Sequence, residues 1–192
     1  MIVIVVLGIL AGLATVGYRR YLARARSTEA VAMLAEITSK EQVYFTEFAS
    51  FLPLVSGSSG LAVTASGAVA TETAAQYYPR DPTGTTFDSV RSAATTSTLP
   101  LSWQQAAVRP KDTVLYCSYF AQAGVSGAKP PSDTTNTVGA NLLGTAAIAA
   151  PWFYALGACN LKDSGAQTYP SRVTIFAVTY NSPSLTVINE GQ

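Results

Sequence analysis

The pattern of hydrophobic and polar positions divides the chain into stretches of different period. Residues 1–17 carry no charge, and Thr15 is their one polar side chain. As a helix this run, with Tyr18 at its end, reaches about 27 Å, close to the roughly 30 Å of a bilayer's hydrocarbon core. It predicts an apolar segment that lies in lipid or among other helices. The pattern over residues 27–48 is helical and one-sided, with Ala30, Leu34, Ile37, Phe45 and Phe48 near one face and Glu41 interrupting them. No proline precedes Pro53, so both stretches read as one helix ending near residues 49–50, roughly 70 Å long.

From Ser102 the period becomes two. Strands are predicted at residues 103–108, 113–123, 152–160, 172–180 and 185–189, all rich in aromatic and β-branched side chains. Asn181-Ser182-Pro183-Ser184 is predicted to be the hairpin turn between the last two. A long helix followed by hairpin-linked strands implies an α+β fold, in which the second half of the helix packs on an antiparallel β-sheet. Residues 124–150, rich in Gly, Pro and Thr, read as a long loop enclosed by the two cysteines.

The stretch between helix and sheet, residues 50–101, is predicted to be a connecting loop with at most a short helix or hairpin. It contains Gly57-Ser58-Ser59-Gly60, alternating small residues at 61–70, a turn signal at Asp81-Pro82-Thr83-Gly84, and Pro79 and Pro100. Its Ser/Thr content suits glycosylation or a plain solvated loop. The organisation is therefore an apolar helix with a basic collar, residues 1–26, and one globular head, residues 27–192: helix 27–49, loop 50–101, and sheet with cysteines 102–192. A chain of 192 residues leaves room for one head of this kind rather than two.

Charge narrows the range of functions. The collar, Arg19, Arg20, Arg24 and Arg26, resembles a cytoplasmic flank by the positive-inside rule. The head argues for export instead, because only 12% of the chain is charged and two cysteines sit in apolar segments. The collar is then an interfacial anchor or a contact between subunits. Cys117 and Cys159 are read as one disulfide, worth about 2–4 kcal/mol, with two buried free thiols as the alternative. The apolar start runs directly into helix-forming sequence without a cleavage-site pattern, so it reads as retained rather than as a signal peptide.

Candidate chemistry is sparse. The absence of histidine removes the Ser-His-Asp triad, histidine zinc motifs and histidine general bases. The carboxylates form no EF-hand spacing, and the glycines at 57 and 60 lack the lysine and following helix of a phosphate loop. Lys111-Asp112 and Lys162-Asp163-Ser164-Gly165 read as turns. Tyr116, Tyr119 and Phe120, with Trp152, Phe153 and Tyr154, read as sheet surface rather than a ligand platform. With 12 basic and 11 acidic residues there is no nucleic-acid footprint. The reading is a non-enzyme without catalytic, cofactor or metal residues.

The N-terminal helix resembles that of type IV pilins, in particular bacterial type IVa members. Met1, Ile2 and Val3 match the family's Met-Ile-Val; Gly8, Ile9, Leu10 and Ala11 match its Gly-Ile-Leu-Ala in register; Tyr18 and Tyr21 match its pair of tyrosines. The likeness continues through Arg26, Ser27, Glu29 and Ala30 to Tyr44 and Phe45. It implies a filament core or membrane helix built from Met1, Ile2, Val3, Ile4, Val5, Val6, Leu7, Gly8, Ile9, Leu10, Ala11, Leu13 and Val16. Tyr18, Tyr21, Arg19, Arg20 and Arg24 would make the subunit contacts. It also implies a homopolymer in a helical filament, residence in the bacterial inner membrane before assembly, a pilus assembly machinery as partner, and an extracellular pilus serving twitching motility, adhesion or DNA uptake. Two departures stand out. The family's acidic residue would fall just ahead of Met1, so the sequence is expected to begin inside the mature helix. Val16 stands where many members carry proline, which leaves Gly12 and Gly17 as the points where the helix could melt. A type II secretion pseudopilin and a single-pass membrane-anchored extracellular binding protein are the alternatives.

Overall fold

A computed structural model describes residues 2–55, 77–79, 86–87, 91–92, 99–110, 114–131, 138–161, 167–168 and 173–188. Its elements, in chain order, are α1 (Ile2–Phe48), β1 (Thr86–Phe87), β2 (Arg91–Ser92), α2 (Leu101–Gln105), β3 (Val114–Leu115), β4 (Cys117–Gly124), α3 (Val138–Leu143), β5 (Trp152–Cys159), β6 (Gln167–Thr168), β7 (Thr174–Thr179) and β8 (Ser182–Ile188). The fold is α+β. A four-stranded antiparallel sheet in the order β4-β5-β7-β8 lies against α1. Two short antiparallel pairs, β1 with β6 and β2 with β3, form separate two-stranded sheets.

α1 is a single helix of 47 residues, about 70 Å long. It ends at Phe48 because Ala49 adopts a left-handed conformation, φ 52°, and returns its N–H to the Phe45 carbonyl at 2.9 Å. Along its second half Ala30, Met33, Leu34 and Ile37 are buried against the sheet. Two positions differ from the expected stripe. Glu41 is fully buried, and so part of the stripe rather than a break in it, while Phe48 is 59% exposed, its ring tilted against Tyr44. Phe48 stands five full turns after Ala30 and so on the same side of the helix; its exposure goes with its place as the last residue of α1.

The sheet is covered on both faces. Cys117, Tyr119, Ala121 and Ala123 of β4, with Phe153 and Ala155 of β5 and Phe176 and Val178 of β7, face the core shared with α1. The alternate residues, Phe120, Trp152, Tyr154, Leu156, Ile175 and Ala177, form a second core with Tyr77, Ala128 and Val138. The stretch read as a loop enclosed by the cysteines thus contains α3 and acts as the sheet's second cover. It is tied by the Gly127 N–H to the Ile148 carbonyl (2.7 Å) and by the Trp152 indole to the Ala128 carbonyl (3.1 Å).

Two glycines set how closely things pack. Gly124 lies opposite Trp152, and a Cβ there would come within 2.2 Å of the indole. Gly157 lies opposite Tyr119, where a Cβ would stand 3.2 Å from the phenol ring and 3.6 Å from Leu34 of α1. The missing side chain therefore lets helix and sheet approach.

Several predicted strands shift. Residues 101–105 are helix, not part of a strand: Pro100 at the N-cap starts a single turn that buries Ser102 and Trp103. The predicted strand 113–123 is broken at Tyr116 into β3 and β4. β8 already begins at Ser182, paired with Thr179, so the hairpin turn is Tyr180-Asn181 and Pro183 lies inside an edge strand, a position where proline is tolerated. The signals at residues 57–60, 61–70, 81–84, 111–112 and 162–165 lie outside the described residues. Among the described residues, no helix is long and apolar enough to cross a membrane. The expected span is corrected accordingly: within α1 the apolar residues give way at the arginine collar to a sequence of mixed polarity.

Candidate assembly surface

Among the described residues, nothing packs on the apolar run of α1 that precedes the arginine collar. Val3 (69%), Ile4, Val5, Val6, Leu7, Leu10 and Leu13 (68%) are all exposed, and a Cβ added at Gly8, Gly12 or Gly17 would meet nothing within 4 Å. Ala11 is exposed as well. The helix runs unbroken through Gly12 and Gly17. Thr15 donates its hydroxyl to the Gly12 carbonyl at 2.8 Å, so the run's one polar side chain is satisfied within the helix and asks nothing of its surroundings. Met1 and the side chains of Ile2, Ile9, Val16, Arg19 and Arg20 lie outside the described residues.

Such a helix, apolar all round, is stable only inside lipid or other protein. Fully covering one Val, Leu or Ile contributes about 1.5–3 kcal/mol, so the exposed set is a large reserve of binding energy. Ile4, Leu7, Ala11, Ala14, Tyr18, Tyr21 and Ala25 are exposed and succeed one another at alternating steps of three and four. That is the 3.5-residue period at which helices wind together along a seam. Tyr18 and Tyr21 are 63% and 70% exposed and Arg24 is exposed, so the residues expected to make subunit contacts, where described, face outward.

The boundary between stalk and head lies at Arg26. Its guanidinium is buried over the Tyr116 ring, 4.8 Å from the centroid, a cation–π contact worth about 0.5–2 kcal/mol. One turn on, the Glu29 carboxylate accepts the N–H groups of Tyr116 (3.1 Å) and Cys117 (3.3 Å) and the Tyr119 hydroxyl (3.0 Å). Burial, and then the Glu29 charge, push the Tyr119 phenol far above its ordinary pKa. Glu36 accepts the Arg109 N–H at 3.4 Å, and Glu41 accepts the Leu52 N–H at 2.9 Å.

Three carboxyl groups on one helix thus hold backbone from three different segments of the head, fixing its position along the helix. Their roles were not legible in the sequence: Glu29 stands three residues after Arg26 and Glu36 four before Lys40, the spacings of ion pairs on a helix surface. The only available signal was Glu41 falling inside an apolar stripe.

Cys117 and Cys159 are joined. They stand directly opposite each other at the end of the β4–β5 ladder, with Cα atoms 4.3 Å apart and both side chains buried. The bond fastens the start of β4, the same point that Glu29 grips, to the end of β5. Among the described residues no group of three or more Cys, Asp or Glu side chains converges to hold a metal ion. Comparison of the chain with protein-family profiles, curated proteins and solved structures finds no match.

Proposed function

We propose that this chain is a structural subunit of a type IV pilus-like filament, polymerising through the first half of α1 while the heads tile the outside. The observation that carries the reading is the run of exposed apolar residues along the first half of α1, beside a head built over two cores. Two further features support it: the register of Met1 to Val3 and Gly8 to Ala11, and the seam at steps of three and four.

Before assembly the apolar end rests in the inner membrane. On assembly it exchanges lipid for the helices of other copies. Both environments are apolar, so the exchange is nearly balanced and the filament can be built and taken apart by motor proteins of a pilus assembly machinery. Twitching motility, adhesion or DNA uptake would be the filament's work, and the chain itself performs no catalysis.

The test is shearing of intact cells without detergent. Recovery of the chain in sheared filaments visible by electron microscopy is expected. Its recovery only in the membrane fraction would overturn the proposal in favour of a membrane-anchored binding protein.

A further inference from the structure

Beyond Ala49 the chain doubles back as a strap, residues 51–55, and this strap is held in an unusual way. Leu54 exchanges both backbone hydrogen bonds with Ala121 of β4, at 2.8 and 3.0 Å. The Val55 N–H stands 3.4 Å from the Ser102 hydroxyl. The Leu52 N–H donates to Oε2 of Glu41 at 2.9 Å. β4 is an end strand of the four-stranded sheet, and Leu54, with Tyr78 beside it, occupies the edge that β5 leaves open. The strap is therefore the cover of a sheet edge, and a buried carboxyl is one of its fasteners.

Glu41 is ill suited to carry a charge there. It is fully buried, Oε1 has no hydrogen-bond partner, and the Leu52 N–H is the one group given to Oε2. No cation faces it among the described residues. The strap is Phe51, Leu52, Pro53, Leu54 and Val55, without a titratable group. The strand faces turned toward α1 carry Tyr119, which is bonded to Glu29 about 18 Å away along the helix, with Tyr180 at the edge of the cluster. On α1 itself Tyr44 lies nearly one turn on and stacks with Phe48, Lys40 adjoins Glu41 in sequence, and Glu36 is turned to Arg109. A neutral acid is tolerable in this setting, whereas an ionised one with a single donor is not.

We propose that Glu41 and the strap form a pH-operated latch on the edge of β4: closed while the carboxyl is protonated, opened when it ionises and draws water in. The strap is the element that yields. The helix and the sheet are held by continuous hydrogen-bond ladders, while the strap depends on a few bonds and on the stack of Phe45, Phe51 and Phe153, with centroids 4.6 and 4.7 Å apart. Opening frees the N–H and C=O of Ala121, an unpaired strand edge able to accept another strand. Burial raises the Glu41 pKa from 4.5 to about 8, which puts the change between neutral and mildly alkaline conditions.

The test is amide hydrogen exchange on the full chain in detergent at about pH 6 and about pH 9, with rates normalised for intrinsic exchange. In the wild type, protection at Leu52, Leu54 and Ala121 is expected to fall by about tenfold per unit as pH rises toward about 8 and to level off above it, while Leu156 in β5 stays far better protected than the strap at both pH values. Glu41→Gln is expected to hold the strap's protection at both pH values. Undiminished strap protection in the wild type, or the same loss in Glu41→Gln, would overturn the latch. If Glu41→Gln does not fold, infrared detection of the buried carboxylic acid in the wild type decides: loss of that band without faster exchange at Leu54 also overturns it.

Discussion

The two halves of α1 continue one backbone, yet they differ in content and in surroundings: residues 2–24 hold eleven Val, Ile and Leu side chains and residues 25–48 hold four. Leu13 is 68% exposed and Leu34 is fully buried. In the second half, apolar residues keep to one stripe, and the rest of the surface is supplied with Glu29, Glu36, Lys40 and hydroxyls that bond back to the helix. In the first half apolar residues surround the axis, so no single sheet could cover them. The comparison teaches that a helix can be half folded: one end completed within the chain, the other completed only by lipid or further copies. The carboxyl groups of Glu29, Glu36 and Glu41 mark the completed end, because each accepts a backbone N–H of the head.

The comparison breaks most completely at Gly8. Gly8→Arg puts a charge where nothing within 4 Å opposes it in the single chain, so the head's melting temperature should stay unchanged while sheared filaments disappear. Normal filaments from this variant would refute the proposed role of the first half. Truncating one leucine in each half gives the next largest contrast. Leu34→Ala should cost about 2–5 kcal/mol of head stability, and Leu13→Ala under about 0.5 kcal/mol, both read by denaturant titration in detergent. Comparable losses would mean that the first half is not free of the head.

The Glu41 carboxyl provides a pH signature confined to the second half. Its pKa rises from 4.5 to about 8, so between those values the native state holds a proton that the unfolded state has released. Stability is therefore greatest below about pH 4.5 and declines as pH rises through about 8, by at most about 1.4 kcal/mol per unit. Melting curves across that range should show the decline in the wild type and a flatter profile in Glu41→Gln, and a rise with pH would contradict the assignment.

Opening the disulfide acts on the head alone. Cys159→Ser is expected to lower its stability by about 2–4 kcal/mol, and wild type under strong reductant should approach the same melting temperature. The smallest effect is expected at the helix end. Ala49 has φ 52°, so Ala49→Gly should stabilise the head by about 1 kcal/mol, seen as a small rise in melting temperature. A fall would show that the left-handed cap is not what ends α1.

How much of this was legible follows from the range of the interactions. The long helix, its apolar first half, the strand at residues 152–160 and the pairing of Cys117 with Cys159 were readable because composition and period within a short window express them. The resemblance named Tyr18, Tyr21 and Arg24 as subunit contacts, and the structure leaves all three exposed. Trp103 was misplaced in a strand because aromatic and β-branched residues signal burial as much as strand, and a single turn after Pro100 buries the same ring. Tyr180-Asn181 was missed as the turn because Pro183 drew the break two residues too late.

By itself the sequence determined that one helix has two characters, since whether apolar residues encircle an axis or keep to one side is a property of their order alone. Only the tertiary structure decided which groups meet: Glu29 with the start of β4, Glu41 with Leu52, Gly157 with Leu34, and the 124–150 stretch with the sheet's second face. Each of these joins residues that lie far apart in the chain or across a turn. Their contacts depend on the register of β4 against β5 and on where Ala49 turns the backbone, and no local pattern encodes either.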